Sequence, residues 1–171
     1  MNAVLQFRAK IQSLIAQWQA EGQPSRDVLQ AEARELQRWR QAAGIQGLWT
    51  HPPLMVTATV DDAMGLGLEV IRWFAEAVGL RVVSAGLLQT PEAIAAVCAA
   101  QHADLLGMSV LQFDSEDDLA AISRRLPETT FFTAGGPVFK SDPDLARRAG
   151  IGLVAKDAGA FLSFLLELPE A

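Results

Sequence analysis

Four short segments of this sequence hold the residues able to do chemistry or to grip a ligand. Asp61 and Asp62 are adjacent acids, with Gly65 and Gly67 close behind. Gly86–Leu87–Leu88–Gln89–Thr90 is the second segment, Ser109–Val110–Leu111 the third and Gly135–Gly136 the fourth. Glycines at such places let a backbone approach a ligand closely, and also serve as ordinary turn residues. The first segment makes a poor phosphate cradle. It lacks the G-x-G-x-x-G pattern and any basic residue, and its two carboxylates repel phosphate. Elsewhere the reactive side chains are scarce. There are two histidines, His51 and His102, one cysteine, Cys98, and no tyrosine. His102 falls at the end of a helical stretch, where a cation suits the dipole. His51 falls in a linker. Cys98 sits among alanines and reads as buried filler. Two histidines and one cysteine are poor equipment for side-chain catalysis.

The elements that must position these segments follow from apolar periodicity. Val4, Phe7, Ile11, Leu14, Ile15 and Trp18 recur at helical spacing, so residues 3–20 read as an amphipathic helix. After Gly22–Gln23–Pro24, Ser25 can cap a second helix, whose stripe from Val28 to Ala43 stops at Gly44. Two helices bury their apolar faces poorly alone, so this hairpin must dock on the rest of the chain or on another chain, a second copy included. His51–Pro52–Pro53 is a stiff linker. Beyond it strands at 54–60, 80–85, 104–110, 129–134 and 151–155 alternate with helices at 65–78, 91–101, 142–149 and 158–168 and with one that starts after Ser115. Thr90 caps its helix with Pro91 at the first position, and Ser115 caps one whose first turn holds Glu116, Asp117 and Asp118. That acidic stretch suits a solvated helix start. The expected architecture is α/β: a flavodoxin-like, doubly wound, five-stranded parallel sheet with an N-terminal helical hairpin. Residues 1–50 are the expected hairpin and 51–171 the expected main domain. In such folds ligands bind at the carboxyl ends of the strands, where all four segments fall.

Composition sets the remaining bounds. The 171 residues suffice for one core with a small appendage. A lone cysteine cannot form an internal disulfide, no apolar run approaches bilayer length and the N-terminus lacks signal-peptide features. A cytoplasmic protein is expected. The net charge of −6 is unevenly placed: +2 over residues 1–50 and −8 over 51–171. The acidic part repels phosphate backbones, so it is not expected to bind nucleic acid, and no membrane contact is expected. The first fifty residues also hold nine of the twelve glutamines, marking them as a distinct segment.

Two adjacent acids at a strand end are similar to the Mg²⁺ site of response-regulator domains. No suitable aspartate ends the third strand here, however, and no lysine ends the fourth. In order and spacing the segments resemble a different family, the cobalamin-binding domains of corrinoid methyltransferases and mutases. That family carries G-D-x-H-x-x-G, then S-x-L, then G-G. Asp62 and Gly67 match the first motif, Ser109 and Leu111 the second, and Gly135–Gly136 the third. Forty-one residues, 68–108, separate Gly67 from Ser109, as in the family. The 23 residues from 112 to 134 make the next interval a little short. Gly86–Glu92 also looks like the family's segment after the second strand. The resemblance covers about residues 54–168.

One departure stands out. The family's histidine, the lower axial ligand of cobalt, falls on Met64, and the glycine before the aspartate is Asp61. Asp62 therefore keeps its place but loses the imidazole it would hydrogen-bond. Methionine is a soft ligand, but packing against the corrin or the core is the better reading of Met64. The resemblance implies cofactor-binding roles for Asp62, Ala63, Met64, Gly67, Ser109, Leu111, Gly135 and Gly136. Ser109 would bond the nucleotide tail, with the three glycines leaving it room. It also implies a cobalamin or related corrinoid cofactor and a protein partner: a methyltransferase, a mutase or a regulator. In methyltransferase relatives a helical bundle covers the corrin, and residues 1–50 would be a cut-down version. The chain has no room for a mutase barrel, so a complete enzyme is not expected. The expected function is a cofactor-holding subunit, methyl carrier or sensor. Two alternatives stay open: a module that keeps the fold and binds only a protein, and a haem or other tetrapyrrole sensor, which would need a strong axial ligand.

Overall fold

The computed structural model describes residues 2–62 and 66–170, with Leu66 by its backbone alone. In chain order the elements are α1 (Ala3–Glu21), α2 (Arg26–Ala42), β1 (Leu54–Ala58), α3 (Leu66–Ala77), β2 (Arg81–Gly86), α4 (Pro91–Gln101), β3 (Leu105–Ser109), α5 (Glu116–Arg125), β4 (Phe131–Gly135), α6 (Val138–Ser141), α7 (Leu145–Ala149), β5 (Leu153–Val154) and α8 (Ala158–Glu167). Local chemistry sets several starts. The Asn2 side-chain Oδ1 accepts the Val4 N–H, and Thr90 Oγ1 accepts the Ala93 N–H at 3.2 Å, with Pro91 at the first helical position. Ser25 and Ser115 stand at N-cap positions, but neither hydroxyl makes a capping bond. Of the helix expected at 142–149 only Leu145–Ala149 forms, as α7, and α6 is a separate turn of helix that ends before residue 142. Asp142 precedes Pro143, which disfavours helical geometry, and it adopts φ −131°, ψ 86°.

The strands form one five-stranded parallel sheet in the order β2-β1-β3-β4-β5. Val56 pairs with Leu106, Leu106 with Phe132, and Ser109 with Gly135. That order is the flavodoxin-like doubly wound one expected from the sequence.

Packing divides the chain into two compact units, each assembled from segments distant in sequence. One gathers the residues up to Pro53, Val70–Arg81 and the segment from Asp157; the other comprises Leu54–Glu69 and Val82–Lys156. In the first, the stripe Phe7, Ile11, Leu14, Ile15 and Trp18 is buried. Phe7 stacks on Trp39 at 5.3 Å, Trp18 meets the edge of Phe74 at 5.4 Å, and Arg26 lies over Trp73 at 4.7 Å. The Arg8 guanidinium donates to the Leu166 carbonyl, and Gln23 Oε1 accepts the Ala158 N–H at 2.7 Å. Most of the α1 stripe is thus buried within this unit, while Val28 of α2 is exposed.

The second unit holds the sheet's main core. Leu54, Val56 and Ala58 of β1, Leu106, Met108 and Val110 along β3, and Phe132 and Ala134 of β4 form one cluster with Ile94, Cys98, Leu119 and Ile122. The alternation is that of one sheet face packed on α4 and α5. All five residues of β1 are buried, which is why it reads as a continuous apolar run. Among the described residues no helix is long and apolar enough to cross a membrane.

Candidate functional site

The loops after β1, β2, β3 and β4 share the carboxyl edge of the sheet, and hydrogen bonds join the first three. Thr59, fully buried, is one hub. Its N–H donates to the Gly86 carbonyl at 3.2 Å, and its carbonyl accepts the Gln89 N–H at 2.8 Å. Its hydroxyl accepts the Leu88 N–H at 3.1 Å and donates to the Asp61 carbonyl at 3.0 Å. Asp61, also buried, is the other. Its Oδ2 accepts the N–H groups of Leu111 at 2.8 Å and Gln112 at 3.1 Å. The Gln112 side-chain amide then donates to Oδ1 of the exposed Asp62 at 3.0 Å. In the sequence Asp61 stands out as one of two adjacent acids and as a departure from the family motif, and Thr59 does not stand out at all. The one local signal was an acid at a strand end, the residue type that captures free backbone N–H groups.

Of the eight expected site residues, Asp62, Gly67, Ser109, Leu111, Gly135 and Gly136 come together at this edge. Ala63 and Met64 lie outside the described residues. Ser109 is half-buried and in register with Gly135. The glycines have close neighbours of their own. A Cβ on Gly67 would stand 3.0 Å from Ser109 Oγ, one on Gly135 2.9 Å from the Ala155 carbonyl, and one on Gly136 2.1 Å from the Val110 carbonyl. The space each glycine provides is thus occupied by this chain's own atoms.

The edge is apolar as well as braced. Leu87, Leu88, Leu111 and Phe113 are exposed, Leu88 at 65% and Phe113 at 70%. Leu88 has φ 53°, a left-handed conformation rare for a bulky residue. The exposed or half-buried charged groups nearby in sequence are Asp62, Asp114, Glu116, Asp117 and Asp118, with one cation, Lys140, after Gly136. Exposed apolar side chains beside carboxylates suit the face of a flat macrocycle and oppose a phosphate group. Among the described residues no group of three His, Cys, Asp or Glu is placed to hold a metal. His102 caps α4 before β3 begins, so it lies toward the amino ends of the strands, and His51 precedes β1. Cys98 is buried, and burial pushes its thiol up to about 11, which keeps it protonated and inert.

An ion-pair cluster fastens the elements after β3 and β4. Arg148 of α7 donates to Glu116 at 2.9 and 3.0 Å and to Asp142 at 2.6 and 3.3 Å. Hydrogen bonds from Arg148 hold both carboxyls below their ordinary range, and those bonds raise the guanidinium further. Carboxyls depressed by folding stabilise the fold above their unfolded pKa values, and this contribution is lost as pH falls through the folded ones. Arg148→Met is therefore expected to lower Tm at neutral pH. The gap from the parent protein should narrow as pH falls below the ordinary carboxylate range of about 4, and shrink in high salt. An equal gap at neutral and acidic pH would show that the pairs contribute nothing.

The strand order and the switch between β1 and β3 define a flavodoxin-like α/β domain with its candidate site at the carboxyl edge. Among solved structures, the chain is similar to a novel cobalamin-binding protein from Desulfitobacterium hafniense DCB-2, with TM-score 0.78, 16% identity, and coverage of 95% of this chain and 79% of that one. It is also similar to the Methanosarcina barkeri monomethylamine corrinoid protein, with TM-score 0.61, 19% identity, and coverage of 82% of this chain. The chain spans 64% of that second protein. At these identities the likeness is one of fold, and it bears out the expected resemblance to cobalamin-binding domains. No protein-family model and no curated protein matches the sequence.

Proposed function

We propose that this chain is a cobalamin- or corrinoid-binding module that lacks the histidine lower ligand and holds the cofactor for a protein partner. One observation carries the reading. Six residues of the ordered motif set converge at the carboxyl edge, beside exposed apolar side chains, on a fold shared with two proteins named for cobalamin or corrinoid. Asp62, Ala63, Met64, Gly67, Ser109, Leu111, Gly135 and Gly136 are the proposed contacts. A bound corrinoid would supply the group-carrying cobalt chemistry that this chain's own side chains lack. Leu87, Leu88, Leu111 and Phe113 would shield the macrocycle's face from water. The partner would be a methyltransferase, a mutase or a regulator, in a cytoplasmic setting.

A second reading has its own support. The Cβ spaces at Gly67, Gly135 and Gly136 are filled by the protein itself, so these glycines are explained without a ligand. On that reading the module keeps the fold and binds a protein through the same apolar edge.

Hydroxocobalamin added to the purified protein, followed by desalting and a visible spectrum, separates them. The corrinoid reading expects retained corrin absorbance of the water-ligated kind. Leu88→Asp with Phe113→Asp should weaken retention at least about tenfold, since each change removes apolar contact and adds a repelled charge. Met64→His should shift the bound spectrum toward nitrogen ligation. No absorbance under any condition leaves the second reading, and retention of hemin alone would move the assignment to a haem-type tetrapyrrole.

A further inference from the structure

We propose that Thr59 and Asp61 are positioning residues: together they lock the loops after β2 and β3 into one rigid apolar face, so this face is ordered before its ligand arrives. The inference deepens the corrinoid reading and rests on it for the ligand's identity. Every main-chain and side-chain polar group of Thr59 is engaged, and two of its four bonds go to the consecutive N–H groups of Leu88 and Gln89. Those bonds hold Leu88 in its left-handed conformation. Packing does not hold it there, because its side chain stands mostly in solvent. On the other side, the Asp61 carboxylate takes the consecutive N–H groups of Leu111 and Gln112. Thr59 and Asp61 are joined by the hydroxyl-to-carbonyl bond.

The arrangement inverts the usual order of a core. Buried polar groups sit underneath, and apolar side chains are held outward. Such a face gains nothing from water, so its rigidity is useful only on contact. Ordering loops in advance removes the entropic cost of ordering them on binding. The resembled family has glycine where this chain has Asp61, so a carboxylate brace at this position is a feature of this chain.

The test uses the full chain. Amide hydrogen exchange followed by NMR is measured without ligand, and hydroxocobalamin affinity by visible titration, for the parent, Asp61→Ala, Asp61→Asn, Thr59→Val and Thr59→Ser. Asp61→Ala should speed exchange at Leu111 and Gln112 about tenfold or more, with β3 and α5 still protected, and weaken hydroxocobalamin about tenfold. Asp61→Asn keeps an acceptor oxygen and should restore much of both. Thr59→Val should have the matching effect at Leu88, and Thr59→Ser should restore it. Unchanged exchange at these amides overturns the brace. Faster exchange with unchanged affinity overturns its role in positioning. If Asp61→Ala does not fold, the Thr59 pair decides. If the parent retains no corrinoid, the corrinoid reading falls while the exchange measurements still judge the brace.

Discussion

Gly136→Ala is expected to destabilise the protein by about 3 kcal/mol or more, or to prevent folding. Gly136 has φ 127°, a conformation that residues with a Cβ rarely adopt, and the new carbon would lie 2.1 Å from the Val110 carbonyl oxygen. That oxygen belongs to backbone. Val110 is itself pinned by its N–H bond to the Gly135 carbonyl at 2.9 Å, so it has no free side chain to swing aside. Gly67→Ala makes the contrast, because its neighbour is the Ser109 hydroxyl, which can rotate. Urea unfolding should show a large fall in midpoint for Gly136→Ala at unchanged slope and a much smaller one for Gly67→Ala. A cost below about 1 kcal/mol at Gly136 would mean that the β4 end is not held against Val110.

Leu106→Ala is expected to cost about 3 kcal/mol. Leu106 is fully buried in β3, the middle strand of the sheet, in register with Val56 on one side and Phe132 on the other. Neighbours tied into strands on both sides relax poorly, so the cavity stays open. Leu88→Ala is the matched control. It removes a mostly exposed leucine and should leave the unfolding midpoint nearly unchanged while weakening corrinoid retention. Equal stability losses at the two leucines would contradict the division between core and site.

Together the two predictions separate what glycines and leucines do here. At Gly136 the chain's own backbone demands the residue, so that motif match alone does not require a ligand. At Leu88 nothing in the core demands the residue, and the reason for it must lie at the surface.

Much of the fold was legible because its causes are local. Thr90–Pro91 marks a helix start from adjacent residues, and the recognised start is the observed one. The apolar run over 54–60 marks a buried strand, and all five residues of β1, Leu54–Ala58, are buried. Short elements under competing constraints were less legible. The helix expected over 142–149 starts only at Leu145, because Pro143 restricts Asp142, and β5 spans two residues, Leu153–Val154, at the open edge of the sheet.

The sequence by itself determined the order of strands and helices, the parallel sheet this order requires, and the loops to which the motif residues belong. Periodicity, caps and alternation act over a few residues, and strand-helix alternation leaves few topologies. Only the tertiary structure decided what Asp61 does. Its carboxylate reaches Leu111 and Gln112, fifty and fifty-one residues away, and no local spacing encodes that contact. Only the tertiary structure, too, showed Leu87, Leu88, Leu111 and Phe113 turned to solvent on neighbouring loops. An apolar residue in a loop is silent about its exposure until the hydrogen bonds beneath it are known.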